Sequence, residues 1–101
     1  MICVIASIKA KPGQRNALLA CIKENLSYVH AETGCVEYQP MVDTKSSLGA
    51  QEQDETIVTM VEKWETIDNL NAHAEAPHML EYREKVKDIV ESVSLKVLTA
   101  A

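Results

Sequence analysis

The sequence predicts an α+β protein with the ferredoxin-like order β-α-β-β-α-β, in which a four-stranded antiparallel sheet carries its helices on one face. Four segments alternate between the two faces of a strand, and the longer segments between them repeat their apolar residues at helical spacing. The chain has 101 residues, without an internal linker or repeat. Residues 1–101 are therefore predicted to form a single domain.

The first half of the chain is divided by turn-forming residues. Residues 1–9 alternate with apolar side chains on both faces, which predicts a strand that is covered on both sides. Pro12-Gly13 ends this strand, and residues 15–31 carry the pattern of a long amphipathic helix. Residues 35–42 alternate again, and Pro40 among them indicates an edge strand or a bulge.

The second half begins with a polar segment, residues 43–55, which is rich in turn formers and predicts a long, mobile hairpin loop. An apolar strand over residues 56–64 follows. A short helix is expected over residues 66–74, then a break at a proline, and a second helical stretch over about residues 78–91. Alternation over residues 92–99 predicts the fourth strand.

Composition excludes several classes of function. The net charge of -5 argues against a nucleic-acid binder, which needs clustered Lys and Arg. No apolar run approaches the roughly 20 residues that span a bilayer, and no basic leader precedes the first strand. The three cysteines lack a CxxC spacing and suit reduced thiols. A cytoplasmic protein without membrane contact is predicted, with Cys3 and Cys21 as small core residues and Cys35 buried rather than reactive.

The pattern of apolar residues also predicts a partner. The first strand is apolar on both faces, and the third carries Ile57 and Val61 opposite its core-facing residues. With both helices on one side, the sheet would expose a sizeable hydrophobic patch on the other. Two sheets packed face to face would bury this patch, so a homodimer is expected.

Candidate site residues gather where the third strand meets the next helix. Imidazole side chains can exchange a proton near neutral pH, so His73 could take one from a phenol or enediol, although a structural histidine is the alternative. Glu62 shares a strand face with Trp64, so its carboxylate needs a partner or a raised pKa. It could orient His73, act as a base or form a salt bridge. Trp64 could stack on a flat ligand or serve as the main core aromatic.

Three further residues are candidates for the pocket wall. His78 follows Pro77 near a helix start, where the helix dipole disfavours a cation, so a neutral lining role is predicted. Tyr38 and Tyr82 could place hydroxyl groups in the pocket, or simply pack. The two histidines do not have the i, i+4 spacing of a zinc helix, and no metal site is predicted.

Several sequence blocks, in this order and spacing, resemble the antibiotic biosynthesis monooxygenase family over nearly the whole chain. The blocks are Pro12-Gly13, Glu32-Thr33-Gly34-Cys35 with Tyr38, Glu62-Lys63-Trp64, Ala72-His73 and Pro77-His78. The resemblance implies a dimeric α+β barrel with a pocket between sheet and helices. It also implies, for some members, oxygenation of phenolic or quinol substrates by O2 without metal, flavin or haem.

The resemblance makes His73 the leading candidate for a catalytic base. The main hypothesis is a cofactor-independent monooxygenase in which His73, with or without Glu62, deprotonates a quinol-like small molecule held against Trp64. Oxygen then reacts with the resulting anion. Haem-degrading relatives use an Asn on the first strand and a His on the second helix. This chain has Ser7 on that strand and no His over residues 79–91, which argues against haem degradation.

Two alternatives stay open. The family also includes enzymes that process a phosphorylated autoinducer-2 signal, so an isomerase of a small, phosphorylated or unphosphorylated metabolite is the first. A non-catalytic dimeric ligand-binding module is the second. The segment 43–55 is longer than in many members; it could cover the pocket or contact the partner, but a tolerated insertion is favoured.

Overall fold

The computed structural model describes all 101 residues and confirms the α+β fold class. Four strands and three helices follow one another along the chain, because the proline break separates the second helical region into two helices. The elements are β1 (Ile2–Ala10), α1 (Arg15–His30), β2 (Cys35–Met41), β3 (Ile57–Trp64), α2 (Ile67–Glu75), α3 (Pro77–Val86) and β4 (Val90–Leu98).

The four strands form one antiparallel sheet in the order β2-β3-β1-β4. β1 is therefore central, and its Ile5 pairs with Val61 of β3. β2 is an edge strand, and its pairing with β3 shifts register between Cys35 and Glu37. An edge strand tolerates a proline, so the expectation that Pro40 marks such a strand is confirmed.

The hydrophobic core lies between one face of this sheet and the helices. Alternate residues of β1 and β3 point into it, and α1 and α3 close it from above. Because the buried strand residues all share one face, the helices lie on one side of the sheet. The core consists of Val4, Ala6, Ile8, Ala10, Leu18, Ile22, Val29, Tyr38, Val58, Met60, Trp64, Met79 and Val86.

The opposite face of the sheet has no helix over it. Ile5, Ile57 and Val61 on this outer face are half-buried. The expectation that β1 is covered on both sides is therefore not met within one chain. Cys3 also lies on this face and, like Cys21, is half-buried rather than part of the core; the three cysteines are free.

The predicted helix over residues 78–91 was too long. α3 ends at Val86, and Val90 already pairs with Ala10 of β1. Ile89 and Val90 fit the helical spacing, but β-branched side chains favour extended backbone, and pairing with β1 satisfies their backbone groups. The Ile89 carbonyl accepts a hydrogen bond from the Lys11 amide at 2.8 Å. Strand pairing thus overrides a sequence pattern that is ambiguous by itself.

The start of α2 follows from a local cap. Thr66 lies in extended backbone just before the helix, and its hydroxyl accepts a hydrogen bond from the Asn69 amide at 3.1 Å. α2 ends before Ala76, whose extended backbone is the conformation expected of a residue that precedes a proline. Pro77 then opens α3, where its missing N–H is not needed.

The segment between β2 and β3 connects an antiparallel hairpin, as predicted, and has no regular structure. It is tied to itself by side-chain hydrogen bonds, among them one from the Asp54 amide to Asp43 at 2.8 Å. Its mobility stays a prediction. No helix of the structure has both the length and the apolar character that a bilayer crossing requires. The cytoplasmic location also stays a prediction.

Gly34 offers a test of the turn between α1 and β2. Its φ of +80° favours glycine, and a Cβ added there would lie 2.3 Å from Cγ and Oδ1 of Asn69. We expect Gly34→Ala to lower the free energy of unfolding by roughly 1 to 3 kcal/mol, since the strained backbone and the close contact act together. Urea denaturation measures this loss.

Gly13→Ala is the matched control. Gly13 has a φ of +77°, but an added Cβ would meet no atom within 4 Å. This variant should therefore lose only the backbone contribution, on the order of 1 kcal/mol. Equal losses at the two glycines would contradict the close contact between the turn and Asn69.

Candidate functional site

A cavity of about 390 Å³ lies between the sheet and α3. Its wall is mostly aliphatic, contributed by all four strands and by α2 and α3, and it includes two cationic side chains, Arg83 and Lys87. The residues that line it are Val4, Ala6, Ile8, Tyr38, Met60, Glu62, Leu70, His73, Ala74, Met79, Tyr82, Arg83, Val86, Lys87, Val90, Val93 and Leu95. An apolar pocket with few polar groups suits an organic small molecule.

Glu62 enters this cavity because of strand alternation. Val58, Met60, Glu62 and Trp64 occupy one face of β3, so the carboxylate lies in an otherwise apolar layer and is only 6% exposed. Its Oε1 accepts a hydrogen bond from Nε1 of Trp64 at 3.0 Å. Burial raises the pKa of Glu62, while the Trp64 hydrogen bond and nearby His73 oppose the rise.

His73 lies in the last turn of α2 and is 5% exposed. Its ring centroid is 4.6 Å from that of Trp64 and 5.3 Å from that of Tyr38, which it meets edge-on. Nδ1 lies 2.8 Å from Oε2 of Glu32. Nε2 has no protein partner, and the ring lines the cavity, so it can present this nitrogen to a ligand.

Glu32 is the site residue that the sequence interpretation missed. It lies in the turn between α1 and β2, 41 positions from His73, and its Oε2 is also 3.0 Å from Nε2 of His78. The only sequence signal was its place two residues before Gly34 in the block shared with the family. Sequence analysis offered an orienting role for Glu62 as one of three alternatives; in the structure, Glu32 makes the bond to His73.

Trp64 and His78 were expected to contact a ligand in the pocket, but neither lines the main cavity. Trp64 is fully buried and does not line the cavity; it lies behind Glu62 and His73. His78 lines a separate surface groove between α1 and α3, where its ring stacks on the exposed Tyr28 at 5.8 Å. Neither residue forms the wall that a ligand in the main cavity would touch.

The two tyrosines do lie where the sequence suggested. Tyr38 and Tyr82 both line the cavity, and Tyr82 also borders the surface groove between α1 and α3. Burial raises the pKa of Tyr38, and it raises the pKa of Tyr82 to about 12. Both hydroxyl groups are therefore protonated at neutral pH and are able to donate a hydrogen bond.

Cys35 lies beside the cluster but is a thiol rather than a thiolate. Burial and the nearby carboxylates of Glu32 and Glu62 raise its pKa. No group of three His, Cys, Asp or Glu side chains in the chain is arranged to hold a metal ion. The 43–55 segment does not line the main cavity; part of it borders a different, polar surface cavity together with the start of α1.

The sequence matches a known protein family and a named relative over most of its length. The sequence model of the family described as antibiotic biosynthesis monooxygenase matches residues 1–85. The chain is also similar to the probable quinol monooxygenase YgiN of Escherichia coli (strain K12), with 38% identity over 100 residues. This alignment covers 97% of the chain and 96% of that protein.

Solved structures show the same fold. Rv0793 from Mycobacterium tuberculosis has a TM-score of 0.82 and 26% identity, covering 99% of this chain and 94% of that one. PA3566 from Pseudomonas aeruginosa also has a TM-score of 0.82, with 24% identity and coverage of 99% and 93%. At these identities, the likeness concerns the architecture that surrounds the cavity.

The raised pKa of Glu62 generates a prediction about stability. Because the folded protein holds the Glu62 proton more tightly than the unfolded chain, ionisation of Glu62 destabilises the fold as pH rises above the ordinary value of 4.5. Glu62→Gln keeps an acceptor for Trp64 but carries no charge. We expect its free energy of unfolding to improve relative to wild type between pH 4 and pH 7, as urea denaturation measures.

Glu65→Gln is the control for this comparison, because Glu65 is exposed just after β3. It should follow the pH dependence of the wild type. A stability difference between Glu62→Gln and wild type that does not change across this range would contradict a raised pKa of the buried carboxyl.

Proposed function

Because the chain belongs to the antibiotic biosynthesis monooxygenase family, we propose that it oxygenates a quinol-like or phenolic small molecule without a cofactor. The observation that carries this proposal is the His73 imidazole, which lines an apolar cavity with Nδ1 bonded to Glu32 and Nε2 free. The name of its Escherichia coli relative supports quinols as the substrate class.

The proposed reaction begins with proton transfer. His73 Nε2 accepts the proton of a substrate hydroxyl, and the resulting anion is electron-rich enough to reduce O2 directly. One oxygen atom enters the product and the other leaves as water. All the electrons that reduce O2 come from the substrate, so the reaction needs no external reductant. The aliphatic wall favours a flat apolar ring and keeps water away from the anion.

The other polar residues near His73 have separate roles in the proposed reaction. Glu62 is the second proton-accepting group in the cavity, since burial raises its pKa toward the working range of a base. Trp64 does not reach the cavity, so its role is to hold the two neighbouring side chains: it donates a hydrogen bond to Glu62 and packs against the ring of His73. In this proposal, Tyr38 and Tyr82, which line the cavity, donate hydrogen bonds to oxygen atoms of the substrate.

A homodimer completes the proposal. The outer face of the sheet has no helix over it, and it holds the half-buried Ile5, Ile57 and Val61 among polar neighbours such as Thr59 and Lys96. On the helix side, β4 also exposes an apolar row, in which Leu95 is 62% exposed and borders the cavity. A second copy packed on the outer face would remove Ile5, Ile57 and Val61 from water.

One observation favours the alternative of an isomerase that acts on an acidic metabolite. Arg83 and Lys87 line the cavity one helical turn apart on the side of α3, where they could hold a carboxylate or phosphate. The same base, His73, would then move a proton between two carbon or oxygen atoms of the substrate without O2. Turnover in the absence of oxygen distinguishes this reaction from oxygenation.

His73→Ala tests the proposed base. Aerobic incubation with a panel of quinols should consume O2 in a 1:1 ratio with substrate, and the variant should lose activity by at least about 100-fold, the usual share of a general base. An oxygen electrode and product analysis with labelled O2 measure both quantities. His30→Gln is the control, since His30 lies outside the cavity and glutamine can still donate to the Tyr38 carbonyl.

Three results would contradict the proposal. Conversion that proceeds equally without oxygen supports the isomerase instead. Binding of quinols without any turnover supports a ligand-binding module. Full activity in His73→Ala, with the variant folded, would exclude His73 as the base.

Val61→Lys tests the outer face as the dimer interface. A charge there faces water in a monomer but would be buried between two sheets, so sedimentation velocity should show a dimer for wild type and a monomer for the variant. Leu48→Lys, on the exposed loop, should leave the dimer intact. A monomeric wild type, or a dimeric Val61→Lys protein, would contradict this interface.

A further inference from the structure

The side chain of Glu32 occupies an unusual electrostatic position. One of its oxygens, Oε2, bonds both to His73 at 2.8 Å and to His78 at 3.0 Å. The carboxylate is largely buried, with 14% of its side chain exposed, and no Lys or Arg pairs with it. The two imidazole rings are therefore the side chains that hydrogen-bond to this carboxylate.

These contacts select one form of each ring. A carboxylate oxygen only accepts hydrogen bonds, so each bonded nitrogen must carry a proton. In neutral His73 this places the proton on Nδ1 and leaves the lone pair on Nε2, the nitrogen without a protein partner. The tautomer that a base in the cavity requires is thus the one that Glu32 selects.

We infer that Glu32 is a positioning residue, which holds His73 with Nδ1–H toward the carboxylate and Nε2 toward the cavity. The inference rests on the proposed role of His73 as the base. When Nε2 takes a proton from the substrate, Nδ1 keeps its own proton and its bond to Glu32. The positive charge formed on the ring then lies next to a carboxylate, which stabilises it.

His78 has a supporting part in this arrangement. Its ring is held between Tyr28 on the outside and Glu32 on the inside, at 5.8 Å between ring centroids and 3.0 Å between Nε2 and Oε2. A second donor on the same oxygen restricts the carboxylate to the rotamer that reaches His73. His78 therefore influences the orientation of Glu32, although its own ring lines the surface groove between α1 and α3 and not the main cavity.

Other titratable groups also face the His73 ring. They are Glu62 from β3 and Tyr38 from β2, while His78 on α3 reaches the ring only through Glu32. Tyr38 stays neutral, since burial raises its pKa. Glu32 is the only one of these groups that bonds directly to a nitrogen of His73.

Glu32→Gln is the decisive variant, because it keeps the shape of the side chain but removes its charge. The glutamine amide can both accept from Nδ1 and donate to it, so it no longer selects one tautomer. We expect kcat to fall on the order of 100-fold with KM little changed, and the acidic limb of the pH profile to move to lower pH. Glu32→Asp should recover part of the activity.

Nitrogen-15 NMR of the imidazole rings gives a readout that needs no substrate. Wild type should show His73 protonated on Nδ1 and bare on Nε2, and Glu32→Gln should show a mixture of tautomers. His78→Ala should lower kcat less than Glu32→Gln does, because the Glu32 to His73 bond persists. Glu24→Gln, an exposed carboxylate on α1 paired with Lys85, is the control and should change neither kcat nor the His73 spectrum.

The two readouts separate this inference from the proposed function. A wild-type His73 protonated on Nε2, or a tautomer unchanged in folded Glu32→Gln, would overturn the positioning role. A tautomer that changes as expected in a protein that oxidises no quinol would instead disprove the monooxygenase reaction and leave the positioning of the ring by Glu32 in place. A loss of kcat with an unshifted pH profile and spectrum would assign Glu32 a merely structural role.

Discussion

A carboxylate buried in an aliphatic layer is the constraint on which the site depends. Strand alternation places Glu62 among Val58, Met60 and Trp64, where an unpaired charge is costly. The Trp64 indole donates a hydrogen bond to one oxygen of Glu62. His73 on α2 lies near the same carboxylate and opposes the rise of its pKa. The raised pKa of Glu62 is the remaining cost of this burial. A protein that only needed a stable core would place an apolar residue there.

Three short local features of the backbone bring the site residues together: a helix cap, a proline break and a glycine turn. The Thr66 cap begins α2 directly after β3, which brings His73 back over the strand it has just left. The Ala76-Pro77 break then separates α2 from α3, so that His73 and His78 approach one carboxylate from two different helices. Gly34, with its positive φ, lets the turn that carries Glu32 approach Asn69 at the start of α2.

Much of the architecture could be predicted from the sequence. Alternation identified all four strands, and the apolar spacing and punctuation by Pro12-Gly13 and Pro77 identified the helices. The boundary between α3 and β4 was predicted too late, because Ile89 and Val90 fit a helical face and a strand equally well. Only pairing with Ala10 of β1, a contact distant in the sequence, decides between them.

The site was predicted in part, and the errors have a common cause. Strand alternation predicted the inward face for Glu62, and the family resemblance made His73 the leading candidate and implied a pocket that Tyr38 and Tyr82 could line. Trp64 shares that face but lies beyond the cavity wall, since depth within a layer depends on what packs above it. Glu62 was one candidate for orienting His73, whereas Glu32, 41 positions away in the sequence, makes the bond.

The amino-acid sequence by itself therefore determined the order of the elements, the inward face of each strand and the residue types available for proton transfer. Those features depend on local backbone preferences and on the periods of strand and helix. Tertiary structure decided which carboxylate meets which imidazole, which nitrogen of His73 stays free, and which aromatic ring reaches the cavity. These outcomes depend on distances of a few ångströms between elements far apart in the chain, and hydrogen bonding and burial are sensitive to distances of that size.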